Sequence, residues 1–255
     1  MCYGFSKLIL FLQSGMHKLF LSILFLLIGF ISKSQSSERT FYGGALYKSS
    51  GLGICFQNKF DTKKEIGKQF DLELSTYHHP QETKTFNTEV NNPSGFVFGK
   101  LNKVLLVKSQ YAFRYKISQF SDAQRVGIDL ICGAGVSLGI FKPVYINLIY
   151  PDPSGYEVIV SEKYDPTKHT DKTKIAGYAD ERVGLNEINY KAGITVSAGV
   201  GFTWGYFTSY PKHLETGFYI EYFNKGLPVM ALTKNKSIQN GIFLKLFLGK
   251  KVAKN

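Results

Sequence analysis

Between residues 193 and 206, apolar side chains alternate with small or polar ones. Ile194, Val196, Ala198, Val200, Phe202, Trp204 and Tyr206 fall on one side of a period-2 pattern. Thr195, Ser197, Gly199, Gly201, Thr203 and Gly205 fall on the other. Successive side chains of an extended chain point to opposite faces, so this stretch has one apolar face and one small, polar face. Globular strands usually end after about five or six residues, whereas a bilayer-crossing strand needs about 9–11. The pattern predicts a transmembrane strand, with Trp204 and Tyr206 as candidate membrane-interface aromatics.

The same alternation predicts strands over 41–47, 52–60, 69–78, 103–119, 125–150, 215–223 and 242–248. Phe70, Leu72 and Leu74 oppose Asp71, Glu73 and Ser75, and two acids on one strand face suit a polar lumen rather than lipid. Connections at 61–67, 120–124 and 207–212 are short, and those at 79–100, 151–190 and 224–239 are longer. Short periplasmic turns alternating with long external loops are expected of outer-membrane barrels. The chain therefore reads as all-β: a closed antiparallel up-and-down transmembrane β-barrel of about eight strands, with both termini periplasmic. The stretch 125–150 is long for one strand. A split at Lys142-Pro143, with another near 108–110, would give about ten.

Composition adds a leader and a charge sign. Met16-His17-Lys18, the apolar run 19–31 and the small residues Ser32 and Ser34 predict a signal peptide over 1–34, with Met16 as an alternative start. The run is too short for a comfortable membrane helix. Residues 35–255 then form the barrel, with external loops at 79–100 and 151–190. The hydrophobic content of 44% across 255 residues is low for a helical membrane protein. The net charge of +12 stays basic once Lys7, Lys18 and Lys33 are removed. Alternation puts Cys55 on the polar face and Cys132 on the apolar one, so both are expected as free thiols.

Candidate chemistry is sparse. Asp71, Glu73, Arg114, Lys116, Asp129, Glu221 and Lys245 all fall on lumen faces. They read as a polar channel or catalytic carboxylate, or as an ion-pair network plugging a narrow interior. His78 and His79 sit adjacent at a strand end and point apart, which makes a poor chelate. A lipid hydrolase would need His78 with Ser75 or Glu73, and alternation separates His78 from Ser75. The segment 162–174, with His169, could meet anionic lipopolysaccharide or act as solvated surface. Gly51-Leu52-Gly53 and Gly199-Val200-Gly201 open no helix and precede no Lys-Ser/Thr, so they are not phosphate loops. No cofactor, metal or nucleic-acid site is expected.

Several short segments resemble one family. They are His79-Pro80-Gln81-Glu82, Phe98-Gly99-Lys100-Leu101-Asn102, and Ser137-Leu138-Gly139 with Lys142-Pro143-Val144-Tyr145. Glu162-Lys163-Tyr164-Asp165-Pro166 with Lys168-His169, and Pro228-Val229-Met230-Ala231 with Thr233-Lys234-Asn235, complete the set. Together they are similar to an uncharacterised family of outer-membrane β-barrel proteins from Bacteroidota. The resemblance implies the fold and the outer membrane, and no reaction. The final Phe-Leu-Gly-Lys-Lys departs from the terminal aromatic that many such barrels carry. The functional expectation is a non-enzymatic barrel, structural or binding through its external loops. Its partners would be outer-membrane lipid or lipopolysaccharide, with an extracellular or surface partner at the loops. The alternatives are a lipid-modifying barrel enzyme, or a small-solute pore if the lumen is open.

Overall fold

The computed structural model describes residues 38–61, 65–87, 95–118, 126–151, 153–154, 156–205, 208–231, 233 and 235–252. The expected signal peptide over 1–34, the alternative start at Met16 and the interface role of Tyr206 lie outside them. The strands are β1 (Glu38–Lys48), β2 (Gly51–Asp61), β3 (Ile66–Tyr77), β4 (Lys84–Thr85), β5 (Phe96–Val97), β6 (Asn102–Ser118) and β7 (Val126–Pro143). They continue with β8 (Tyr145–Pro151), β9 (Glu157–Lys163), β10 (Ile175–Tyr178), β11 (Asn189–Trp204), β12 (Lys212–Phe223) and β13 (Ile238–Val252).

Eight of these strands close a barrel in the order β1-β13-β12-β11-β7-β6-β3-β2. Every barrel pairing is antiparallel, and the last strand returns to the first, with Gly43 opposite Leu248. Closure leaves no unpaired edge, which is the condition for strands to cross a bilayer.

The side chains sort by residue parity, as the alternation requires. On β3, Leu72 and Leu74 face out, while Asp71, Glu73 and Ser75 are buried. Large apolar side chains on all eight barrel strands remain between 37% and 70% exposed. Soluble monomers rarely expose contiguous apolar patches beyond about 600 Å². A belt drawn from every strand fits hydrocarbon outside, and the polar interior fits the inverse pattern of a membrane barrel. Glycines on the inner face make room for long polar side chains. A Cβ on Gly133 would stand 2.5 Å from Gln110 Nε2, and one on Gly201 would stand 2.7 Å from His213 Cε1.

The structure corrects the long strand at 125–150 and the external loop at 151–190. β7 leaves the barrel after Pro143, and the residues after it pair elsewhere: Tyr145–Pro151 is a strand of a separate three-stranded sheet, ordered β10-β8-β9. Pro143 has no N–H to extend the ladder, and the Val144 N–H donates to Leu101 O instead. The external connection therefore runs over 144–188, and 102–118 continues unbroken, so the ten-strand alternative is not realised. The apolar alternation of 144–150 belongs to a sheet outside the membrane.

Candidate functional site

Inside the barrel, charged residues from five strands converge. The Glu73 carboxylate lies 2.8 Å from Lys108 Nζ, 2.8 Å from Lys245 Nζ and 3.4 Å from Lys48 Nζ. Glu221 takes Lys48 at 3.0 Å. Lys245 reaches on to Glu215 at 3.5 Å and Asp71 at 3.6 Å. Gln57 Nε2 donates to Glu215 at 2.6 Å, and Gln69 Nε2 donates to both Asp71 (3.0 Å) and Glu215 (3.3 Å). His213 faces Glu215 at 3.0 Å and Thr203 at 2.8 Å. Towards the inner end, Arg114 pairs with Asp129 at 3.2 Å.

Among the described residues of the barrel interior, the buried cations Lys48, Lys59, Lys108, Arg114 and Lys245 match the buried carboxylates Asp71, Glu73, Asp129, Glu215 and Glu221 in number. Matching matters because an uncompensated buried ion costs several kcal/mol. An eight-stranded barrel is just wide enough for side chains to fill, and here they fill it. Of the residues singled out from sequence, Asp71, Glu73, Glu221 and Lys245 meet in the central network. Arg114 and Asp129 form the lower pair, and Lys116 lies half-buried opposite Asp129 in the ladder. Trp204 ends β11 on the outward face at the inner rim. Sequence reading missed Lys48, Lys59, Lys108, His213 and Glu215. Parity could have found three of them: Lys59 shares a face with Gln57, Lys108 with Arg114, and Glu215 with Glu221. Lys48 reads as turn because it is the last residue of its strand.

The outer mouth is stoppered. Tyr77, Val104, Leu106, Phe141 and Phe223 line the rim, and Leu227, Val229 and Met230 from the 224–237 connection fold down onto them. The Leu101 N–H donates to Val229 O and the Ala231 N–H to Gly99 O, both at 2.8 Å. Asn102 Nδ2 donates to Pro228 O at 2.6 Å. Glu82 holds Lys100 at 2.6 Å, while the Glu82 carboxylate also accepts the His79 N–H. This gives the His79–Glu82 turn a structural task. Ser75 is 1% exposed inside the barrel, and His78 points outward at the strand end, so the hydrolase pair is not assembled.

Above the mouth, the external sheet has its own core. Val144, Ile146, Leu148, Tyr164 and Ile175 pack with Phe96 of the neighbouring loop, and Phe98 and Leu101 close over them. His169 is buried in this module. Its Nδ1 accepts the Asp165 N–H at 2.9 Å, and its Nε2 lies 3.5 Å from Glu162. The expected basic face at 162–174 is partly engaged internally, since Lys163 pairs with Glu187 and Lys172 lies 4.6 Å over the Phe98 ring.

Glu181 ties the module to the barrel rim by meeting Lys103 on β6 and Lys142 on β7. The hydrogen bond from Lys103, and then its charge and that of Lys142, hold Glu181 below the ordinary carboxylate value of about 4.5. A depressed folded-state value means the clasp is fully present above that ordinary pKa and is lost as pH falls through the lowered one. Protease cleavage within 144–188 should therefore stay constant from neutral pH down to the ordinary value and rise below it. Glu181→Gln should show the raised cleavage already at neutral pH.

No protein-family model matches the chain, and no curated protein matches its sequence. Among solved structures, it is similar to Neisserial surface protein A at 10% identity and a TM-score of 0.40, covering 87% of this chain and 100% of that one. It is similar to a major outer membrane protein from Thermus thermophilus at 11% identity and a TM-score of 0.43, covering 86% and 100%. It is also similar to Ail, the attachment invasion locus protein of Yersinia pestis, solved with the heparin analogue sucrose octasulfate, at 7% identity and a TM-score of 0.40, covering 86% and 100%. On its closed ladder and its apolar outer belt, the chain is a β-barrel protein of the bacterial outer membrane.

Proposed function

We propose that the barrel is an anchor and that the chain works by presenting its external sheet to a partner at the cell surface, with no reaction of its own. The observation that carries this reading is the separation of tasks: the interior is filled and charge-matched, while β8, β9 and β10 form a sheet outside the membrane with an apolar core of its own. A filled interior argues against solute passage, and the separated His78 and Ser75 argue against lipid hydrolysis. Outer-membrane lipid would pack on the apolar belt, and lipopolysaccharide would be met at the outer rim.

We also infer membership of the uncharacterised Bacteroidota family named above. Its support is the quoted segments themselves, three of which meet at the outer mouth: Glu82 with Lys100, Gly99 with Ala231, and Asn102 with Pro228.

Replacing residues 145–187 with a short Gly/Ser linker tests the division of tasks. The expected product still shows heat-modifiable migration on gels and a β-rich spectrum in detergent, and the cells lose surface association measured by whole-cell aggregation. Failure of the truncated barrel to fold, or unchanged aggregation, would contradict the reading.

A further inference from the structure

The external sheet ends in an open edge. Among the described residues, β9 in the order β10-β8-β9 has a strand partner on one side only. Its sequence is Glu157-Val158-Ile159-Val160-Ser161-Glu162-Lys163, and it is exposed almost throughout, with Val158 46%, Ile159 59% and Val160 39% exposed. Natural proteins usually blunt such an edge with an inward charge, a proline or a bulge. Here three consecutive β-branched apolar residues stand uncovered, with charges only at the two ends.

The ladder shows which backbone groups are free. The Tyr164 N–H donates to Val144 O, so the even residues of β9 bond towards β8. The opposite edge of β8 agrees, because the odd residue Tyr145 accepts the Ala179 N–H on the β10 side. The odd residues Glu157, Ile159, Ser161 and Lys163 therefore turn their N–H and C=O groups outward, as alternate residues of a ladder must.

We propose that β9 is a self-association edge, and that a second copy of this chain adds its own β9 antiparallel about a two-fold axis at Val160. This rests on the surface-display reading and names the partner. Three features select a second copy. In this register, outward-bonding odd residues meet outward-bonding odd residues, Ile159 with Ser161 of the partner subunit and Glu157 with Lys163 of the partner subunit, so the ladder closes on both sides. Glu157 meets a cation at each end of the pair, twice by symmetry. Lys163 already touches Glu187 on its own chain, but its side chain remains 56% exposed and has room for a second carboxylate. Finally, Val160 lies opposite Leu148, on the face of the sheet core. Two-fold pairing sets it beside the partner's Val160, and the apolar row runs on unbroken across the junction. Strand addition of this kind takes its affinity from main-chain bonds and its register from alternate side chains.

Cysteine scanning in isolated outer membranes tests the proposal in the full chain, with Cys2 and Cys132 changed to Ser. The expected result is that Val160→Cys forms a disulfide-linked dimer on mild oxidation. Ile159→Cys and Ser161→Cys each stay monomeric alone and cross-link when co-expressed. Adding Ile159→Pro to Val160→Cys should abolish the dimer, because it removes an outward N–H without touching the bond pattern to β8. Glu157→Lys should weaken the dimer, and the swap Glu157→Lys with Lys163→Glu should restore it. A heat-modifiable Val160→Cys protein that stays monomeric, or a dimer that links through position 159 alone, would overturn the proposal. Neither result depends on deleting the module, so this inference can fail while the display reading stands.

Discussion

Glu73→Gln should lower the unfolding free energy of the barrel in lipid vesicles by about 3–5 kcal/mol, the cost of breaking a buried ion pair by removing one partner. Glu73 is 1% exposed and serves Lys48, Lys108 and Lys245 together, at 3.4, 2.8 and 2.8 Å. Removing its charge leaves the five buried interior cations facing four carboxylates, and takes from Lys48, Lys108 and Lys245 the one group they share. The imbalance causes the loss more than the missing bond does. A compensating Lys108→Met should therefore recover much of it, because among the described carboxylates Lys108 otherwise reaches only Glu221, at 3.8 Å. Urea midpoints of the two single variants and the double variant give the coupling directly. Strictly additive losses would show that Glu73 and Lys108 do not act as a unit.

Phe218→Arg should destabilise the protein in bilayers by about 2–4 kcal/mol, the cost of an arginine at the hydrocarbon midplane of a barrel wall. Phe218 stands mid-strand in β12 with 70% of its side chain exposed. On a water-facing surface the same exchange would fall within about 0.5 kcal/mol. Tyr156→Arg in the external module, at 75% exposure, supplies that comparison within the same molecule. The pair separates two meanings of exposure, since both residues touch no protein core, yet only one touches lipid. Equal small effects from both would remove the membrane from the account.

The strand faces were legible because period-2 alternation is local: each residue's parity decides its side of the sheet. Parity put Asp71 and Glu73 together on the inner side and kept Cys55 and Cys132 apart, with Cys55 buried and Cys132 exposed. The even strand number was legible from loop lengths alone. The network was legible only in part. Parity says that a side chain points inward, but not how high along the axis it sits. Height depends on register and stagger, which are properties of pairs of strands. That is why Arg114 and Asp129 separate from the cluster around Glu73. The stretch after Pro143 was misplaced for a related reason. Val144, Ile146 and Leu148 alternate as a membrane strand would, and periodicity does not say whether the buried face meets lipid or a protein core.

By itself, the sequence determined a wall with one apolar and one polar face, long enough to cross a bilayer, because side-chain alternation and strand length are written residue by residue. Only the tertiary structure decided that the interior is filled and that a second sheet stands above the mouth with an open edge. Those outcomes depend on which strands become neighbours and at what offset, and no single stretch of chain contains that information.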